Sequence, residues 1–241
     1  MTTLAEEIEV GNHHTAMLAG LTFNVDTILS TAVAGVIVIG LGLLLRARVT
    51  SSGVPGKLQL GWEALINFLE GTIRQLMGIR VAPFLVPLSV SLFTFILVAN
   101  WLEMIPIPGH WLPAATADTN TTYALAILVI VWLHAASVRK NGAKKYFGHY
   151  LKPSPVLTPL NVLEEAVKPV SLSLRLFGNI FAGGLMLSVI ATLFPVYVSW
   201  LPNVIWKLFD MFVGGIQAVI FSLLTIVYFS LQLSDSEEHA H

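Results

Sequence analysis

Arg175 is the residue in this chain whose type and position most constrain its chemistry. It lies in Ser171-Leu-Ser-Leu-Arg-Leu-Phe-Gly-Asn-Ile-Phe-Ala-Gly-Gly184, early in an apolar stretch of helical length. A guanidinium does not lose its proton in a protein. Placing it in hydrocarbon costs between about 3 and about 17 kcal/mol, depending on snorkelling and local water. Such a cation serves a carboxylate, an anion or a proton path; the alternative is an anchor at the helix start that reaches lipid phosphates. Asn179 follows one turn later, and Ala182 and Met186 continue that face. Gly178, Gly183 and Gly184 thin the same segment, which suits close approach of another helix in lipid.

A second polar series lies near the C-terminal end. Asp210, Gly214, Gln217 and Phe221 are spaced four, three and four apart, so Asp210 and Gln217 share a helix face. An amide inside an apolar helix needs a partner. Asp210 is either a titratable station on a water path or the partner of Lys207, three residues earlier. Asn100 and Glu103, also three apart, close the second apolar run, where Glu103 either lines a wet vestibule or reaches interfacial water. His110 and Asp118, in the loop that follows, are expected to be exposed. His134 is expected to pack as a hydrogen-bonded histidine. No metal-binding spacing, P-loop or nucleophile elbow occurs, so no cofactor and no covalent chemistry are expected.

The elements that must position these residues are membrane helices. The chain has 241 residues, 55% hydrophobic and only 11% charged, against roughly 25% charged in a soluble domain. Net charge is −1, which leaves no basic face for nucleic acid, and the absence of cysteine excludes disulfides and thiolate sites. The acidic N-terminal stretch lacks the basic region of a signal peptide, so the first apolar run reads as a retained helix. Five spans are predicted: about Val25 to Leu45, Pro83 to Ile105, Thr121 to Val138, one between Pro169 and Trp200, and one between about Val204 and Leu233. The fourth, about 30 residues or roughly 45 Å, exceeds about 30 Å of hydrocarbon, so a tilt or a break at Pro195 is expected. The fifth has a similar excess. Gly61 to Met77 and Thr158 to Val167 read as amphipathic interfacial helices, the latter with Thr158 as N-cap and Pro159 at the first helical position.

The fold class is therefore an all-α polytopic membrane protein. It forms one membrane domain over 1–241, with a 1–24 outer tail, helices and loops over 25–233 and a 234–241 cytoplasmic tail. Two loops hold 11 of the 13 Lys and Arg residues, which places them in the cytoplasm, the N-terminus outside and the C-terminus inside.

Lys168-Pro-Val-Ser-Leu-Ser-Leu-Arg-Leu-Phe-Gly-Asn-Ile-Phe-Ala-Gly183 resembles the signature of subunit a of the F-type ATP synthase membrane sector. Ile216-Gln-Ala-Val-Ile-Phe-Ser-Leu-Leu-Thr-Ile-Val-Tyr228, Asn100-Trp-Leu-Glu-Met-Ile-Pro106 and Ala117-Asp-Thr-Asn-Thr-Thr122 extend the resemblance over nearly the whole chain. It implies that Arg175 is the stator cation facing a ring of c subunits, with Asn179 and Gln217 as polar neighbours. It implies two offset half-channels that load and unload the ring carboxyls, and an arginine that blocks direct leak between them. It implies as partners the c-ring, peripheral-stalk b-type subunits, the catalytic head through the complex, and membrane lipids. A bacterial inner membrane is the expected location. The pattern departs at Gly184, where many relatives carry a carboxylate or histidine, and at Asp210, where many carry His or Glu. Asp210 is therefore expected to serve the inlet with waters and Glu103. A sodium-conducting version of the same subunit, and a secondary transporter using Arg175 as an anion site, are the alternatives; a second copy of the arginine motif, which paired repeats would supply, is absent from the sequence.

Overall fold

A backbone in hydrocarbon has no water to bond, so each segment must satisfy its own N–H and C=O groups, and helices result. The computed structural model describes residues 15–18, 21–50, 54–76, 83–102, 116, 118–142 and 158–234. Glu103 and His110 lie outside the described residues, as do the side chains of Arg175 and Asn179. Among the described residues the helices are α1 (Val25–Arg48), α2 (Lys57–Leu76), α3 (Leu85–Leu102), α4 (Thr119–Asn141), α5 (Thr158–Leu193) and α6 (Val196–Ser234). Four of them, α1, α3, α4 and α6, contain stretches long and apolar enough to cross a membrane; α5 carries a shorter apolar stretch, Ala182–Leu193. The membrane-crossing elements are all helical and the chain is a polytopic membrane protein, as expected. A short antiparallel pair, β1 (Thr15–Leu18) and β2 (Leu21–Asn24), precedes α1, in register Thr15↔Asn24 to Leu18↔Leu21.

Two boundaries differ from expectation. The stretch from Thr158 to Val167 is not a separate interfacial helix but the first turns of the 36-residue α5, which runs on through Pro169. Proline deletes a single backbone bond, which neighbouring groups in a bundle can compensate. The break comes at Phe194–Pro195, because a residue before proline is driven out of the helical region. Phe194 N–H still closes α5 on Ile190 O at 3.1 Å, while Val198 and Ser199 N–H open α6 on Pro195 O, each at 2.9 Å. The last helix therefore begins at Val196 rather than near Val204, and holds Pro202 within it. At 36 and 39 residues, α5 and α6 extend past the hydrocarbon or tilt steeply within it.

Helices α3 and α6 form the centre. Leu92 and Ile96 of α3 meet Ala218, Phe221, Ile226 and Phe229 of α6, with Leu69 and Ile73 of α2 and Ala126, Val129 and Leu133 of α4 completing the cluster. Thus the amphipathic α2 turns its apolar stripe onto the bundle. Helix α1 attaches to α3 through Ala34, Ala99 and Leu102. Helix α5 packs along α4 and α6.

Asp118 corrects the expectation of an exposed loop residue, being only 5% exposed. It caps α4 by accepting Asn120 N–H at 2.8 Å. It also accepts Asn24 Nδ2–H at 2.7 Å and Thr27 Oγ1–H at 2.9 Å, tying the start of α1 to the start of α4. A carboxylate satisfies a helix N-terminus and its dipole together, and the distant donors exist only once the chain has folded. At its other end α4 closes on Gly142, whose φ of 78° suits glycine and whose N–H returns to Val138 O at 2.9 Å. Asp118→Ala removes the cap and strands two donors, the half-buried Asn24 amide and the buried Thr27 hydroxyl. It is expected to lower the thermal midpoint of the detergent-solubilised protein by about 5 °C or more, read by temperature-scanned circular dichroism; an unchanged midpoint would reject this role.

Candidate functional site

Gly183 on α5 and Asp210 on α6 meet where a side chain would not fit. A methyl on Gly183 would stand 2.8 Å from Asp210 Oδ1 and 3.0 Å from Oδ2, closer than packed atoms tolerate. Both residues are buried. Sequence spacing identified Asp210 and Gly183 separately; the fold brings them together. Trp206 Nε1–H donates to Gly183 O at 3.1 Å, so two side chains of α6, one turn apart, converge on a single residue of α5. Between Asp210 and Lys207 no ion pair forms among the described residues.

Helix α3 grips the same part of α6 from another side. Asn100, 4% exposed, donates Nδ2–H to Gly214 O at 3.1 Å and accepts Thr116 Oγ1–H at 2.6 Å. A methyl on Gly214 would lie 3.1 Å from Asn100 Cβ, so this glycine too admits a neighbour. Trp101 Nε1–H donates to Met211 O at 3.1 Å. Farther along, Ser222 Oγ–H is shared between Ala218 O at 3.0 Å and Ser89 O at 3.3 Å. Gln217 is 5% exposed, and its Nε2 has no partner among the described residues.

Asp210, Gly183, Gly214 and Asn100 thus form one polar seam across α5, α6 and α3, with Gln217 two turns of α6 beyond Asp210. Arg175 and Asn179 belong to α5 on the N-terminal side of Gly183. Gly178 is exposed, with nothing within 4 Å of an added methyl, and Gly184 is half-buried. Thr116, Trp101 and Trp206 were not identified from sequence. Trp206 had a signal, since it stands one turn before Asp210 on the same face; Thr116 had none, because it stands 16 residues from Asn100 with no periodic spacing to link the two. Gly183→Ala should lower the thermal midpoint of the solubilised chain, whereas Gly178→Ala should leave it unchanged or raise it through better helix propensity. Equal midpoints for the two variants would refute the close approach.

A family model described as ATP synthase A chain matches residues 28–230. An ATP synthase subunit a of Mycobacterium bovis is 50% identical, over 99% of this chain and 98% of its own length. Those of Acidothermus cellulolyticus and Bacillus subtilis are 48% and 36% identical, over 98% and 92% of this chain and 89% and 97% of their own lengths. With a family match over most of its length, its several membrane-crossing helices and full-length relatives, the chain belongs to the ATP synthase A chain family, as a multi-pass membrane subunit of that complex and not its catalytic chain.

Proposed function

We propose that this subunit is the proton-conducting stator of a rotary F-type ATP synthase, forming a single membrane domain over residues 1–241. The observation that carries the reading is the register of α5 against α6. From the Gly183–Asp210 contact, counting equal steps along two antiparallel helices brings Gln217 to the level of Leu176, next to Arg175 in sequence. The contact itself lies eight residues beyond Arg175, roughly 12 Å along α5. A titratable carboxyl and a fixed cation then stand at different depths, as two offset half-channels require.

The physics follows from those positions. A carboxyl on each c subunit stays protonated against lipid, because desolvation disfavours its charge. Beside Arg175 the ionised form is favoured, so its proton leaves by the inner half-channel. Asp210, with Asn100 near it and with Glu103, which follows α3 in the sequence, delivers protons from the outer side. The cation of Arg175 repels any proton moving straight across, so each proton crosses only by riding the ring. Each elementary charge moved through 100 mV contributes about 2.3 kcal/mol to rotation. Asn179 and Gln217 orient and hydrate the arginine. Gly178, Gly183 and Gly184 keep α5 low enough for the ring to pass, Gly183 by letting α6 sink toward it. The b-type peripheral subunits hold the chain against rotation, and the catalytic head is reached through the complex. Relative abundance of Lys and Arg in two loops supports an outside N-terminus and cytoplasmic C-terminus in a bacterial inner membrane.

The test is ATP-driven proton pumping by the reconstituted complex in sealed vesicles, in sodium-free buffer. Arg175→Ala at equal assembly is expected to abolish pumping; near-normal pumping would sink the stator reading. Asp210→Asn is expected to cut pumping by about a hundredfold, the scale of a lost proton-transfer group. Pumping that requires added sodium would shift the assignment to the sodium-conducting form.

A further inference from the structure

Tryptophans in a membrane protein commonly stand in the interfacial belt with their N–H groups toward water or headgroups. Two here do otherwise. Trp206 of α6 directs its Nε1–H to Gly183 O of α5, and Trp101 of α3 directs its Nε1–H to Met211 O of α6, both at 3.1 Å. The accepting residues are the one under the Asp210 carboxylate and the one after Asp210. Both carbonyls lie within helices, where each already takes a backbone bond; the second lone pair accepts the indole. The Trp206 ring is braced by Phe209, with centroids 5.2 Å apart.

Apolar packing does not explain this choice of residue. Lipid chains are as apolar as leucine, so apolar faces alone fix the sliding of one membrane helix against another only weakly. A directional bond to one named carbonyl does fix it. Gly183 is small enough to let α6 slide, and a carboxylate whose place depends on that glycine needs something else to hold the register. We propose that Trp206, together with Trp101 from α3, is a positioning residue that sets the register of α6 at Asp210 through its indole N–H. The proposal rests on Asp210 being the inlet carboxyl.

The ring nitrogen Nε2 of histidine can occupy nearly the place of indole Nε1, so Trp206→His keeps a donor while losing bulk. Trp206→Phe keeps a large apolar ring and loses the donor. A hydrogen-bonded positioning role ranks His above Phe; a packing role ranks Phe above His. The measurement is ATP-driven proton pumping by the reconstituted complex at pH 8, where an ordinary histidine, of pKa about 6.5, is neutral. Subunit content is matched, and Asp210→Asn is run alongside. Expected is a loss of about threefold for Trp206→Phe, the factor an average membrane hydrogen bond is worth, with Trp206→His close to wild type. The pair Trp101→Phe and Trp101→His should rank the same way, and reads the effect independently should Trp206 variants assemble poorly. If Asp210→Asn stops pumping while Phe equals or exceeds His at both sites, the positioning role is overturned and the inlet reading stands. If Asp210→Asn pumps normally, the inlet reading falls and the positioning proposal with it.

Discussion

Hydrocarbon offers polar groups nothing to bond to, so an amide, hydroxyl or carboxyl within a span is strongly favoured to find a partner in the protein. Much of the interior follows from that demand. Asn100 spends its amide on Gly214 O and its carbonyl on Thr116, and Ser222 reaches Ser89 O as well as its own helix. All but the last of these bonds join α3 to a neighbour, and α3 with α6 makes the centre onto which α2 and α4 pack. Apolar surface alone would not choose among the ways these helices can lie together in lipid.

The seam between α5 and α6 shows what such a bundle does with glycine. Glycine lowers the ridge that a helix presents, and here the space on Gly183 is taken by a carboxylate rather than by another backbone. A charged-capable group is thereby held at a helix–helix interface without a bulky neighbour on that side. Gly214 admits Asn100 in the same way from α3. The two glycines flank Asp210 on different helices, and each trades side-chain volume for a polar visitor.

Much of this architecture was legible in the residues. Apolar runs of spanning length and the bias of lysine and arginine marked the helices, and Asp210, Gln217 and Asn100 stood out because polar groups in such runs are expensive. What stayed hidden depended on distance in sequence. Asp118 reads as a loop residue until Asn24 and Thr27 arrive from α1. Gly183 reads as generic packing until Asp210 is brought beside it. The joining of Thr158–Val167 to α5 was obscured because two prolines, normally punctuation, sit inside that helix or at its first turn.

The bond from Thr27 to Asp118 spans 91 residues of chain. During synthesis at about 5 to 20 residues per second, α1 reaches the membrane about 5 to 20 seconds before its partner carboxylate exists. Throughout that interval the Asn24 and Thr27 side-chain donors that Asp118 will accept are left to water and headgroups, which favours a position at the bilayer surface. The arrival of α4 then locks an end already held at the right depth. Insertion order thus assists the fold, because the last partner to be made finds the first one waiting at the boundary where they meet.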